Sequence, residues 1–154
     1  MGDAALSHIG TKLSPQELKK ALVAAGLEVY RTLGEEVILA DRVRDNLIMD
    51  SGVRVRGGGT FEVQLVLRVR KGEFPNDDDA VLFGRVRAAA AGATERGFAE
   101  REARTQAVTD PANPARTLDT FYEIVFAKTE PGLEPLLETA RFALALARQA
   151  EPDR

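Results

Sequence analysis

The clearest pattern in the chain is an alternation of apolar and polar residues over residues 60–70. The apolar residues of this series are Phe61, Val63, Leu65, Leu67 and Val69. The residues between them are polar, and only Val66 interrupts the series. Successive side chains of a strand point to opposite faces, so the pattern predicts a strand with one buried face and one face toward water. A sheet of such strands is usually antiparallel, because parallel sheets are covered on both faces.

The segment before it, residues 47–56, is predicted to be the partner strand of a hairpin. The three glycines at 57–59 are interpreted as its loop, which places Val55 opposite Phe61. In this register apolar residues oppose apolar ones and polar residues oppose polar ones. A slip of one residue would invert the pattern of a whole strand, so the agreement favours this register.

The same register extends the buried face toward the start of the partner strand. It places Met49 beside Leu67 and Leu47 beside Val69, all on the buried side. Ser51-Gly52 interrupts the strand pattern, and glycine inside a strand often marks a bulge. We therefore predict a bulge or kink at that dipeptide.

Cap and turn signals divide the rest of the chain. Ser14, Pro15 and Glu17 are typical of a helix start with a capping box, and Gly26 is placed to end that helix. The other predicted elements are strands at 27–33 and 37–43, a helix from Asp78 to Arg96, a hairpin of 98–109 with 118–128, and a closing helix from Pro131 to about Ala150.

The predicted order is α-ββ(β)β-α-ββ-α. This is an α+β fold in which a meander plus a hairpin form an antiparallel sheet packed by three helices. Residues 14–150 are predicted to be a single domain, because no repeat, linker or low-complexity tract divides them. Residues 1–13 are small, polar and unpatterned, and are predicted to be a flexible lead-in.

Composition narrows the classes of protein. The chain has 154 residues, 44% hydrophobic and 29% charged, which is typical of a folded globular domain. It has no cysteine, which excludes disulfides, thiolate catalysis and cysteine-ligated zinc. The net charge of −3 gives no general reason to expect nucleic acid. No signal peptide or membrane-spanning run is found in the sequence, so a cytoplasmic location is expected.

Candidate chemistry is sparse. His8 is the single histidine and lies in the lead-in, so a histidine-based triad cannot form. Asp77, Asp78 and Asp79 are interpreted as a helix cap, because they lack the alternating ligands of a calcium loop. The glycines at 57–59 join two strands, whereas a phosphate loop leads from a strand into a helix. We predict no catalytic, cofactor or metal site, and hence no enzyme.

A possible polar contact face consists of Arg54, Arg56, Arg68 and Arg70 on the water-facing side of the central hairpin. We call these four residues the arginine face. A basic sheet face is a possible platform for nucleic acid, but such platforms carry aromatic side chains that stack on bases. Here Phe61 points to the opposite side. A solvated or protein-contacting face is therefore favoured over a regulatory nucleic-acid-binding domain.

The closing helix carries an apolar arc wider than one sheet can cover. Leu136 and Ala143 lie in the broad stripe, whereas Phe142 and Leu146 lie nearly opposite its centre. Either a second helix of this chain or a partner chain must cover the arc. We predict a protein interface that involves Phe142, Leu146, Leu136 and Ala143, and a homodimer.

The order and size of the elements resemble the type III secretion chaperone-like fold, which includes secretion chaperones and related bacterial domains. The resemblance rests on the capped helix 14–26 that leads directly into 27–30, on the alanine-rich helix between the two strand groups, and on the closing helix after Pro131. The first strand group has four segments where the family usually has three. The resemblance implies a homodimer that binds an extended segment of a client protein through apolar patches and sheet edges.

Three functions follow as hypotheses. The first is a non-enzymatic, chaperone- or adaptor-like module that binds a client protein. The second is a carrier of a small apolar ligand in a pocket lined by Phe61, Leu65, Phe83 and Tyr122. The third is an enzyme that uses carboxylates or tyrosines, for which the sequence offers no constellation of residues.

Overall fold

The computed structural model of the protein describes residues 12–150. The prediction of a flexible lead-in with His8 therefore falls, up to residue 11, outside the described residues. The helices are α1 (Pro15–Ala24), α2 (Asp79–Ala89), α3 (Ala91–Glu95) and α4 (Leu133–Ala150). The strands are β1 (Val29–Leu33), β2 (Glu36–Arg44), β3 (Leu47–Arg56), β4 (Phe61–Arg70), β5 (Ala99–Asp110) and β6 (Asn113–Glu130), and a 3₁₀ turn spans Lys71–Glu73. None of the helices in this range is long and apolar enough to cross a lipid bilayer.

The six strands form one antiparallel sheet in the order β1-β2-β3-β4-β6-β5, so β1 and β5 are its edges. The predicted α+β class, the antiparallel sheet and the order of elements are confirmed. The chain divides into two compact units, and each is described by itself below. Among the described residues, unit 1 comprises 12–65 and 127–150, and unit 2 comprises 66–126.

In unit 1 the predicted start and end of the first helix are confirmed. The Ser14 hydroxyl accepts a hydrogen bond from the Glu17 amide at 3.1 Å, and the Ser14 amide donates to the Glu17 carboxylate at 2.9 Å. This reciprocal pair is a capping box, and it lowers the pKa of Glu17. Gly26 follows the helix with φ +88°, a conformation that favours glycine. Leu18 and Leu22 are the fully buried side chains of α1.

The predicted register of the central hairpin is wrong by two residues. Val55 pairs with Val63, not with Phe61, and Arg56 pairs with Glu62. A shift of two keeps every side chain on its own face, so the polarity pattern cannot distinguish the two registers. The connection decides between them, and it is longer than the predicted glycine loop. Leu13 donates a backbone hydrogen bond of 2.7 Å to the Gly57 carbonyl within this connection.

The predicted bulge at Ser51-Gly52 is confirmed. Gly52 has φ +85°, and the buried Ser51 hydroxyl donates to the Leu39 carbonyl at 2.7 Å while it accepts from the Val53 amide at 3.1 Å. The buried series of β3 ends at Ser51, and this corrects a prediction. Leu47 and Met49 are 41% and 42% exposed, whereas the register assumed a buried face for both.

In unit 2 the predicted single helix from Asp78 to Arg96 is divided into α2 and α3. The Asp78 carboxylate accepts from the Val81 amide at 2.9 Å, as expected for a cap. At Ala90 the backbone has φ −90° and ψ 1°, outside the usual helical range, and α3 begins at the next residue. Gly97 ends the segment with φ +99°, as predicted. The buried residues of the two helices are Leu82, Val86 and Ala93, and Ala90 between the helices is buried as well.

The hairpin of unit 2 has a tighter turn than predicted. β5 ends at Asp110 and β6 begins at Asn113, whereas the sequence placed the second strand from Leu118 onward. The Asp110 carboxylate accepts from the Ala112 amide at 2.9 Å and the Asn113 side chain accepts from the Ala115 amide at 3.3 Å. Such local bonds stabilise turns. They let the strands continue up to the turn.

Tyr122 connects β6 to the first turn of α2. Its hydroxyl donates to the Asp79 carboxylate at 2.6 Å, and its ring meets Phe83 edge-to-face at 5.2 Å. The hydrogen bond to Asp79 is the main reason why the pKa of Tyr122 is raised above its ordinary value of 10.0. Ionisation would place a phenolate beside a carboxylate, so the neutral phenol is favoured.

We expect Asp79→Asn to bring the Tyr122 pKa back toward its ordinary value. The chain has two tyrosines, so the titration uses a Tyr30→Phe background in which only Tyr122 ionises. Ultraviolet absorbance against pH measures the midpoint with and without Asp79→Asn. Equal midpoints in the two proteins would contradict the assigned hydrogen bond.

Candidate protein-contact surfaces

The two residues of the arginine face that lie in unit 1 are paired with carboxylates. Arg56 donates through Nε and Nη2 to one oxygen of Glu36, at 3.0 and 2.8 Å. Arg54 lies 3.2 Å from the Asp50 carboxylate and 4.0 Å from that of Glu36. In the structure Glu62 is buried and accepts a hydrogen bond from Gln64.

The other two residues of the arginine face lie in unit 2 and are also paired. Arg70 lies 3.2 Å from the Asp119 carboxylate. The Arg68 guanidinium stacks on Phe121, 4.3 Å from the ring centroid, and lies 3.9 Å from the buried Glu123 carboxylate. A buried carboxylate needs such partners because its desolvation is costly.

Glu123 has a second arginine within reach. Arg104 on β5 donates from Nε to its carboxylate at 3.4 Å. Each of the four residues of the arginine face therefore has a carboxylate within 4.0 Å. The aromatic side chain against this face, Phe121, is already stacked by Arg68. The arrangement lowers the positive potential that attracts a phosphate backbone.

The four predicted interface residues of α4 fall into two classes. Leu136 and Ala143 are 0% exposed, so other parts of the chain bury them. Phe142 and Leu146 are half-buried and form the helix flank, the name used here for these two side chains. The burial of Leu136 and Ala143 shows that part of the wide arc is covered within the chain. Only the helix flank keeps accessible apolar surface among the four.

Unit 1 also contains an open pocket of about 280 Å³. Its rim carries two ion pairs, Glu28 with Arg42 and Asp41 with Arg148. The Arg42 hydrogen bonds hold the pKa of the Glu28 carboxyl below its ordinary value. The apolar part of the lining comes from Leu27, Ala40, Leu144, Ala145 and Ala147. None of the four residues predicted to line an apolar pocket, Phe61, Leu65, Phe83 and Tyr122, lies in this lining.

The outer strand β5 is the feature that sequence reasoning did not single out. Every residue from Ala99 to Thr109 is exposed, and only Asp110 at its end is half-buried. The neighbouring part of β6, from Asn113 to Leu118, is exposed as well. The signal was present in the sequence, because neither parity of β5 carries a series of large apolar residues and Val108 is its largest. In a strand without a buried face, both the odd and the even positions carry small or polar residues.

Comparison of the chain with protein-family models, with curated proteins and with solved structures finds no match. Among residues 12–150, no group of three or more histidine or carboxylate side chains is arranged to hold a metal ion. The proposal of a function therefore rests on the geometry of these surfaces.

Proposed function

We propose that the protein is a non-enzymatic, chaperone- or adaptor-like module that binds an extended segment of another polypeptide along β5. The observation that carries the proposal is the position and exposure of this strand. β5 is an edge of the six-stranded sheet and has 12 residues, of which the first 11 are exposed. An edge strand presents unpaired backbone N–H and C=O groups, which an added strand can satisfy.

The form of the strand supports edge addition. Natural edge strands are usually protected by shortness, proline, bulges or charges. β5 is long for a strand and contains neither proline nor glycine. Its protection consists of the charges of Glu100, Arg101, Glu102 and Arg104. Charges exclude some partners and admit those with complementary charges, so they select the partner as well as protect the edge.

The opposite edge is a poorer site. β1 has 5 residues, and its pairing with β2 is irregular between Val29 and Arg31. It nevertheless exposes Tyr30 and Leu33, 39% and 56% accessible. A short and irregular edge offers few consecutive backbone groups to an added strand. It serves as the internal comparison for tests of β5.

The resemblance to the type III secretion chaperone-like fold supports the same function, because members of that family bind extended client segments as homodimers. The four-stranded meander differs from the usual three strands, and the resemblance rests on element order. The ion pairs of the arginine face favour this function over nucleic-acid binding. The polar rim of the pocket in unit 1 favours it over a carrier for an apolar molecule.

Selection of peptides from a displayed library of dodecamers tests the proposal, with the full chain as bait. We expect the binders to slow amide hydrogen exchange in residues 99–109, because an added strand protects the outward amides of β5. Exchange in β1 is the comparison within the same sample. Protection confined to β1, to the helix flank or to the pocket would overturn the assignment of β5, and failure to select any binder would overturn the proposed function.

A further inference from the structure

We infer that β5 pairs with β5 of a second copy of this chain, antiparallel, with Ala103 opposite its own counterpart. The inference rests on the proposed function of β5 as a binding edge and names the partner. It would join two six-stranded sheets into one continuous sheet. The evidence is the order of charges along the strand, combined with the symmetry of a dimer.

Symmetry limits the registers that two identical strands can adopt. The twofold axis that relates two antiparallel β5 strands is perpendicular to the sheet. A given residue therefore points to the same face of the joined sheet in both copies. Opposed residues of an antiparallel pair also point to the same face. One residue of β5 must therefore lie opposite its own copy, and each possible register is defined by that residue.

Charge excludes most of these registers. A centre at Arg101, Glu102 or Arg104 places a charged side chain directly opposite an identical charge, which is destabilising. A centre at Thr105 places Glu100 opposite Asp110 of the other copy, again with like charges. Near the middle of the charged segment, only Ala103 is neutral.

The register centred on Ala103 pairs residues 99–107 of the two strands and is complementary over that length. Glu102 opposes Arg104 of the other copy, and by symmetry this ion pair forms twice. The remaining opposed pairs are Ala99 with Ala107, Glu100 with Gln106, and Arg101 with Thr105. No pair joins like charges, and the small residues meet each other. Exposed ion pairs contribute little affinity, so their main effect is to select the register.

The side chains needed for these pairs are accessible in the single chain. The Glu102 and Arg104 side chains are 57% and 43% exposed, and they lie 3.6 Å apart. Arg104 is also 3.4 Å from Glu123. Glu100 is held by two hydrogen bonds from Arg87, at 2.8 and 3.0 Å, and in the proposed pairing it faces the neutral Gln106. In the proposed pairing none of these charged side chains lies opposite a like charge, so charge repulsion does not disturb their contacts within the chain.

Engineered thiols test the register directly, because the natural chain has no cysteine. In Ala103→Cys the two thiols of a dimer would lie at opposed positions, where Cα atoms are about 4.5–5.5 Å apart. That separation suits a disulfide. We expect Ala103→Cys to form a covalent dimer under mild oxidation in the full-length protein.

Two other alanines of the same strand provide matched controls. Alone, Ala107→Cys places its two thiols eight residues apart along the paired strands, about 27 Å, and should not crosslink. Ala99→Cys alone should behave in the same way. Mixed together, Ala99→Cys and Ala107→Cys should crosslink, because Ala99 of one copy opposes Ala107 of the other. Equal crosslinking of all single variants would reveal random collision and overturn the register.

A charge reversal tests the pairing without any covalent bond. Glu102→Arg would set two arginines opposite each other at both symmetric positions, and we expect the dimer dissociation constant to rise at least tenfold in sedimentation equilibrium. Adding Arg104→Glu to that variant restores opposite charges, and should restore association. An unchanged dissociation constant in Glu102→Arg, or a double variant no better than the single one, would overturn the inference.

The outcomes separate this inference from the proposed function. If selected peptides protect β5 but Ala103→Cys stays monomeric, β5 binds other polypeptides and the self-pairing is wrong. If no peptide binds and no crosslink forms, both are wrong. Circular dichroism of each variant confirms that the substitution has left the fold intact.

Discussion

Replacing Leu65 with alanine is expected to lower the free energy of unfolding by about 2–5 kcal/mol, the usual cost of truncating a buried leucine. Leu65 is 0% exposed and pairs with Val53 across β3 and β4 in unit 1. The substitution removes apolar contacts and leaves a cavity that close-packed neighbours fill only in part. Urea unfolding followed by circular dichroism measures the change.

Leu33→Ala is the matched control, because it removes the same atoms from a side chain that is 56% exposed on β1. We expect this change to stay within about 0.5 kcal/mol. Arg68→Ala is an intermediate case. It removes the stacking of the guanidinium on Phe121, and a cost of about 0.5–1 kcal/mol is expected. Equal losses for Leu65→Ala and Leu33→Ala would show that the buried face of β4 has been misassigned.

The second large effect is expected at the helix flank. In a Glu102→Arg background, where the proposed β5 pairing is weakened, Phe142→Ser with Leu146→Gln should keep the helical signal and weaken the remaining association through the helix flank by roughly 100-fold, about 2.7 kcal/mol. The two side chains are four residues apart on α4 and half-buried, so polar replacements there can still reach water. Large apolar side chains at a contact supply much of its energy.

Leu136→Gln is the control on the same helix. Leu136 is 0% exposed, so an amide group there would be buried, and we expect loss of the folded state rather than loss of association. Circular dichroism and sedimentation equilibrium of both proteins separate the cases. Collapsed helicity in the double variant would place the helix flank in the core. Unchanged association with native helicity would exclude it from the contact.

Polarity patterns predicted four of the buried apolar residues of β4, Phe61, Val63, Leu65 and Leu67, but not the burial of Glu62 or the half-exposure of Val69. They also could not predict how the neighbouring strand is aligned. Val55 opposes Val63 instead of Phe61, and both registers satisfy the same alternation.

The bulge at Ser51-Gly52 was predictable from its glycine, whereas the exposure of Leu47 and Met49 was not. The register shifts by two residues across the bulge, so both side chains stay on the face of Val53 and Val55. Their exposure shows where the cover of that face ends, which the polarity of one strand does not reveal.

The break at Ala90 could not be predicted from the sequence. Alanine is the strongest helix former, and no proline or glycine occupies the position, so local preference favours one continuous helix. The neutralised arginine face was missed for a different reason. Carboxylates of other segments, such as Glu36 and Asp119, supply the pairs, and only the assembled fold brings them to the arginines.

The exposure of the outer hairpin affects its local stability as well as the proposed binding. Residues 99–109 and 113–118 bury little side-chain surface, so local opening there costs less free energy than opening of the buried part of β6 from Tyr122 to Ala127. If a polypeptide adds to β5 as proposed, it must order a strand whose local opening costs little free energy. Part of the interaction energy would be consumed by this ordering. The affinity of the proposed binding would then depend on the rigidity of the hairpin as well as on the contacts made, and a substitution in the turn at Asp110 would change that affinity without contact to the partner.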